Sequence, residues 1–133
     1  MEETMAHPNE ELARSGYKAF ADGDLDAIGG IFAEDVVWHI SGSSPLARDY
    51  RGKDEVLGFL GNVMSATGGT FRAEVHDILA NDEHAVVIVT VSAERDGKKL
   101  STRQVAVYHN RDGQQTEAWF CFEDTTIADA MFS

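Results

Sequence analysis

The stretch Ala85-Val86-Val87-Ile88-Val89-Thr90-Val91-Ser92-Ala93-Glu94-Arg95-Asp96-Gly97, with residues 100–109 behind it, decides the fold class. Its first ten residues are rich in β-branched side chains, which pack well on a pleated surface. Asp96-Gly97 is the strongest short hairpin signal a sequence offers, because both residues tolerate the positive φ of a two-residue turn. Toward the C-terminus, Arg111-Asp112-Gly113 turns the chain again and residues 116–123 read as the last strand. Toward the N-terminus, Asn81-Asp82-Glu83 is a turn. Residues 70–79, with Phe71, Ala73 and Val75 alternating, form the first of four strands. A four-strand meander follows.

Ahead of Gly68-Gly69 the period changes. Val56, Phe59, Leu60, Val63 and Met64 stand at i, i+3, i+4, i+7 and i+8, which predicts a helix. An earlier helix begins near Pro8, whose missing N–H suits a first turn, and carries Leu12, Ala13, Gly16, Ala19 and Phe20. Gly23 stops it. Asp24 caps a second short helix with Leu25, Ile28 and Phe32 on one side. Residues 35–40 read as a short strand, and Ser41-Gly42-Ser43-Ser44-Pro45 as a loop. Helices followed by a run of strands predict an α+β domain, three helices on one face of a curved antiparallel sheet.

One domain over residues 1–133 is expected, with a flexible start through residue 7. A chain of this length buries roughly two thirds of its unfolded surface without a disulfide or metal staple. Hydrophobic residues make up 43% and charged residues 26%, ordinary for a globular protein. The net charge of -12 argues against nucleic acid and against anionic membrane surfaces as partners. The acidic Met1-Glu2-Glu3-Thr4-Met5 start lacks signal-peptide features, so a cytoplasmic location is expected. The single cysteine, Cys121, lies in an apolar run, which predicts a buried, inert thiol.

The run Phe20-Ala21-Asp22-Gly23-Asp24-Leu25-Asp26, then Ile31-Phe32-Ala33-Glu34-Asp35-Val36-Val37-Trp38, resembles the opening of the SnoaL-like and ketosteroid-isomerase-like families. So do Tyr50-Arg51-Gly52-Lys53-Asp54-Glu55-Val56 and the two Asp-Gly hairpins. The resemblance covers nearly the whole chain. It implies a nuclear-transport-factor-2-like (cystatin-like) cone enclosing a pocket, commonly dimeric through the outer face of its sheet. Those families include isomerases, cyclases, hydrolases, dehydratases and binding modules, so fold alone leaves function open.

Ketosteroid isomerase uses an aspartate base with a tyrosine and a neutral aspartic acid as oxyanion hole. Aligned on that pattern, the tyrosine position falls on Gly16, the base on Ile40 and the neutral acid on Ala106. That machinery is therefore not expected here. Tyr17 adjoins the first position, but one helical residue turns a side chain about 100° away. The alignment with strand parity sends Trp38, Ile40, Phe59, Val89, Val91, Thr102, Gln104, Ala106, Tyr108, Ala118, Phe120 and Phe122 inward. Such a lining suits a hydrophobic small molecule with one or two oxygens.

Acid and base candidates are few. Asp124 has the parity of Phe120 and Phe122 and is expected at the pocket mouth, where apolar walls would raise its pKa. Its other reading is a cap on residues 125–132. His39 is the second nominee, although parity turns it outward. Asp49, Tyr50 and Arg51 read as solvated loop. His7, His39, His76, His84 and His109 have no metal-ligand spacing, so no metal is expected. No organic cofactor motif is visible. A cofactor-free isomerase, cyclase, hydrolase or dehydratase stands beside a non-catalytic module. On the outer sheet face, Arg72, Glu74, Arg103 and Glu117 surround an apolar strip with Trp119 and Cys121, which predicts a homodimer.

Overall fold

The computed structural model describes residues 6–133. The elements run α1 (Pro8–Ala21), α2 (Leu25–Ile31), β1 (Phe32–Ile40), β2 (Asp49–Arg51), α3 (Lys53–Ala66), β3 (Arg72–Ala80), β4 (His84–Arg95), β5 (Lys98–Arg111), β6 (Gln114–Phe122) and α4 (Thr125–Phe132). All six strands join one sheet in the order β2-β1-β6-β5-β4-β3. α1 lies against β3 and β4, α3 against β1 and β2, and α4 against β4 and β5.

Local chemistry sets the helix ends. His7 Nδ1 accepts from Asn9 N at 3.1 Å as the cap of α1, and Pro8 opens the helix. Residues 1–5 of that expected arm lie outside the described residues. Asp24 caps α2 through Ala27 N at 3.0 Å. Among the described residues no helix is long and apolar enough to cross a membrane.

Several expectations change. The described residues form four helices, because residues 125–132 coil under the Asp124 cap. Phe32 does not extend α2: it begins β1, which is nine residues long. Asp49, Tyr50 and Arg51 are not solvated loop but the strand β2, antiparallel to β1. Tyr50 is buried and donates to Leu46 O at 2.7 Å. The sheet is mixed: β6 returns beside β1 and runs parallel to it, pairing Trp38 with Ala118 and Ile40 with Phe120. Parallel pairing requires a long crossover, and everything from β2 to β5 supplies it.

The concave face holds the core. Val87, Val89, Val91, Ala106 and Ala118 are fully or almost fully buried there. A bulge in β3 between Val75 and Asp77 shifts parity, so that Ile78 points inward three residues after Val75. Cys121 faces outward and is exposed, contrary to its expected burial, because the parity that sends Phe120 inside sends its neighbour outside.

Candidate ligand-binding site

Between the concave face and the helices lies a cavity of about 90 Å³. Trp38 is its hub. The indole lies edge-on to Phe32, Phe59 and Tyr108 and tilted on Phe120, with ring centroids 5.4, 6.2, 6.5 and 4.6 Å away. Offset and edge-on aromatic pairs of this kind add stability beyond the area they bury. A second hollow of about 160 Å³ lies beside α1 and β3 and shares Tyr17, Phe20, Phe71 and Ala73 with the first. Met64 and Arg72 complete its walls.

Of the expected lining, Trp38, Ile40, Phe59, Val91, Gln104, Tyr108, Phe120 and Phe122 border the cavity. Val89, Ala106 and Ala118 point to the same side but lie beneath larger neighbours and do not border it. Thr102 is buried, and its hydroxyl accepts from Asp124 N at 3.1 Å instead of reaching the cavity. Asp124 is not at the pocket mouth. Its side chain accepts from Ile127 N at 3.1 Å as the cap of α4, and the residue is exposed. His39 also lies outside the cavity, on the convex face. Its Nδ1 is 2.7 Å from Asp49 Oδ1 and its Nε2 is 2.6 Å from Glu117 Oε2, with the ring stacked on Trp119. The hydrogen bond to Glu117, aided by Asp49, holds its pKa above the ordinary value.

Two polar groups escaped sequence reasoning. Tyr17 lines the cavity together with Gly16, and its hydroxyl lies 2.8 Å from that of Tyr108. The 100° turn between neighbours does not exclude it, because α1 lies over the cavity and a long phenol reaches in from the flank. Gln115 also faces inward. β6 carries an extra residue, Thr116, where the pairing jumps from His109–Glu117 to Asn110–Gln115, and the bulge reverses parity beyond it. Only the helix position of Tyr17, next to the aligned tyrosine, gave a sequence signal for either residue.

The polar groups at this cavity have unused hydrogen-bonding capacity. Among the described residues, Trp38 Nε1 and Gln115 Oε1 are buried with no partner. An unsatisfied buried donor or acceptor costs about 1–3 kcal/mol. The two tyrosine hydroxyls carry two protons, and their mutual bond uses one, which leaves one O–H to donate elsewhere. Burial pushes the Tyr17 phenol up to about 12 and the Tyr108 phenol well above its ordinary value. Both therefore remain neutral donors near pH 7. Among the described residues the lining contains no Asp, Glu, His, Lys or Arg. It offers donors and a carbonyl acceptor in an apolar surround, without an ionised base.

Residues 13–118 match the SnoaL-like domain family. The chain belongs to this SnoaL-like family. Its cone has the cystatin-like, nuclear-transport-factor-2-like fold of solved neighbours. The uncharacterized protein Rv0034 of Mycobacterium tuberculosis is 30% identical over 124 residues, 92% of this chain and 95% of that protein. The structure of Bal32a, from a soil-derived mobile gene cassette, superposes with a TM-score of 0.91 at 31% identity, covering 95% of this chain and 97% of its own. TerC, co-crystallized with polyporic acid, superposes with a TM-score of 0.83 at 23% identity, covering 96% of this chain and 100% of its own.

Proposed function

We propose that this SnoaL-like protein binds a compact, largely apolar molecule in the cone and holds one of its oxygens by hydrogen bonds. The observation that carries this reading is the unpartnered Trp38 N–H in a cavity otherwise walled by aromatic and aliphatic side chains. A carbonyl or ether oxygen of a bound ligand would satisfy it. The spare tyrosine O–H is a second donor, and Gln115 Oε1 is an acceptor for a ligand hydroxyl. Crystallization of TerC with polyporic acid accords with a small organic ligand for this fold.

The donor pair also favours a second reading. Two neutral donors on one carbonyl oxygen would stabilise the negative charge that develops there in enolisation or ring closure. Cofactor-free isomerisation, cyclisation, hydrolysis or dehydration would use that stabilisation. Because no lining side chain among the described residues is an ionised base, the proton acceptor would be water or the substrate itself. Binding is the primary reading.

The test is a thermal-shift screen with small aromatic ketones and phenols, paired with hydrocarbons of the same shape. A ligand that binds only the folded state must raise Tm. Oxygenated members should bind, and Trp38→Phe should weaken them about 10-fold, a loss of about 1.4 kcal/mol. Equal binding of the bare hydrocarbons, or no loss in Trp38→Phe, would refute recognition of the oxygen.

A homodimer through the convex face belongs to the same reading. Val86 pairs with Val107 and Val107 with Trp119, while Ile88 pairs with Val105 and Val105 with Cys121. Those six side chains form two adjacent apolar rows across three strands. Val105 and Trp119 are large side chains left 40% and 38% exposed, more than isolated surface residues need explain.

A further inference from the structure

Where β3 turns into β4, Glu83, His84 and His109 each present a ligand atom, and these three atoms lie within 4.8 Å of one another. We propose that they form a surface site for a borderline divalent cation, with Zn2+ the best chemical fit. Their separation along the chain hides the cluster from any spacing rule. It arises because His84 and His109 are direct cross-strand partners on β4 and β5, with ring centroids 5.1 Å apart.

The surrounding hydrogen bonds prepare the ligands. Thr116 donates its only hydroxyl proton to His109 O at 3.1 Å. Its oxygen, 2.8 Å from His109 Nδ1, must therefore accept the proton on that nitrogen. His109 is thus fixed as the tautomer whose Nε2 lone pair is free for a metal. A partner on the far ring nitrogen is the usual way a protein orients a ligating imidazole. Thr116 is the extra residue of the β6 bulge, so the bulge supplies this partner. The acidic ligand is anchored through its backbone. Asn81 Oδ1 accepts from both Glu83 N and His84 N, at 3.0 and 2.8 Å, and Asn110 N donates to Glu83 O at 2.7 Å.

Two imidazole nitrogens and one carboxylate oxygen make a His2Glu set, three protein ligands with room for water as the fourth. Tetrahedral Zn2+ with bonds near 2.0–2.1 Å needs ligand atoms about 3.3 Å apart. The three atoms already lie within 4.8 Å of one another, and Glu83, the acidic member, is exposed. Among the described residues the His84 imidazole makes no hydrogen bond, and its ring lies edge-on to that of His109. Bound metal would join the β3–β4 turn to β5, away from the internal cavity.

The experiment titrates the chelator-stripped full chain with Zn2+ against a chromophoric competitor, and then with Co2+ followed by its visible spectrum. One ion per chain is expected. His84→Ala and Glu83→Ala should each weaken Zn2+ more than about 10-fold, and Thr116→Val, which removes the tautomer-setting partner, about 10–100-fold. His39→Gln, at the histidine–carboxylate cluster on the convex face, should leave affinity unchanged. Near-UV circular dichroism establishes that each variant is folded, and His84→Ala removes no side-chain hydrogen bond among the described residues. The proposal is overturned if wild type and His84→Ala bind Zn2+ equally, or if the His39 variant loses it to the same degree.

Discussion

Tyr17 and Tyr108 share a single hydrogen bond at 2.8 Å inside an apolar cavity, and burial works against ionising either phenol. The folded pKa values lie above the unfolded value of about 10, so the stability tied to neutral tyrosine is complete below that pH. It is lost as pH rises toward and through about 12 for Tyr17. Alkaline titration of phenolate absorbance should therefore lag in the native protein relative to the chain in urea; coincident curves would count against buried donors. His39 has the same sign at lower pH. Only an imidazolium can donate from both nitrogens to Glu117 and Asp49, and its pKa is held up chiefly by the Glu117 bond. Its stabilisation is full below the unfolded value of about 6.5 and fades as pH rises through the raised folded value. His39→Gln should cost no more than about 1 kcal/mol at pH ~5.5, since the carboxylates are screened by solvent, and almost nothing at pH ~9. Denaturant melts at the two pH values measure this, and a cost that grows with pH would refute it. Strand parity made Trp38, Gln104 and Phe120 legible as inward residues. Tyr17 and Gln115 were not, because one depends on how α1 lies over the sheet and the other on a bulge with no composition signal.

The two Asp-Gly hairpins turn with both central residues at positive φ: Asp96 at 53° with Gly97 at 77°, and Asp112 at 52° with Gly113 at 76°. These are the primed turns that the Asp-Gly pairs announced. An alanine at position 97 has open space around its Cβ but must adopt the left-handed backbone, so Gly97→Ala should cost about 1 kcal/mol or more. In α3 the same substitution has the opposite sign. Gly58 and Gly61 are exposed, helical, and would place a Cβ in open space. Gly58→Ala and Gly61→Ala should each stabilise by about 0.5–1 kcal/mol, read as a higher denaturant midpoint. Stabilisation by Gly97→Ala, or destabilisation by both helical variants, would contradict the backbone assignments. At this scale the sequence announced every long strand and three of the helices through periodicity and turn chemistry. β2 is only three residues, too short for a period, and it forms because β1 offers an open edge. The parallel β1–β6 pairing is a tertiary choice that no local pattern encodes.

For the whole molecule, the opposing demands are a net charge of -12, which disfavours self-association, and a convex face with an uncharged centre. The apolar rows of Val86, Val107 and Trp119 and of Ile88, Val105 and Cys121 lie between Arg103 and Glu117 near their margins. Burying such a face against a second copy removes apolar area at about 25 cal/mol per Å², while the acidic side chains at the rim remain in water. A two-fold arrangement would set the same rows against each other, since a self-complementary patch closes without leaving a free face. Light scattering after size exclusion at micromolar concentration should therefore report a dimer. Val105→Glu would place a carboxylate at the centre of each row pair and face its symmetry mate, so that variant should elute as a folded monomer with unchanged circular dichroism. Raising salt should strengthen the wild-type dimer by screening the acidic excess, because the attraction is apolar and the repulsion is charged. A wild-type monomer at that concentration, or a Val105→Glu dimer as tight as the wild type, would rule out this face as the interface.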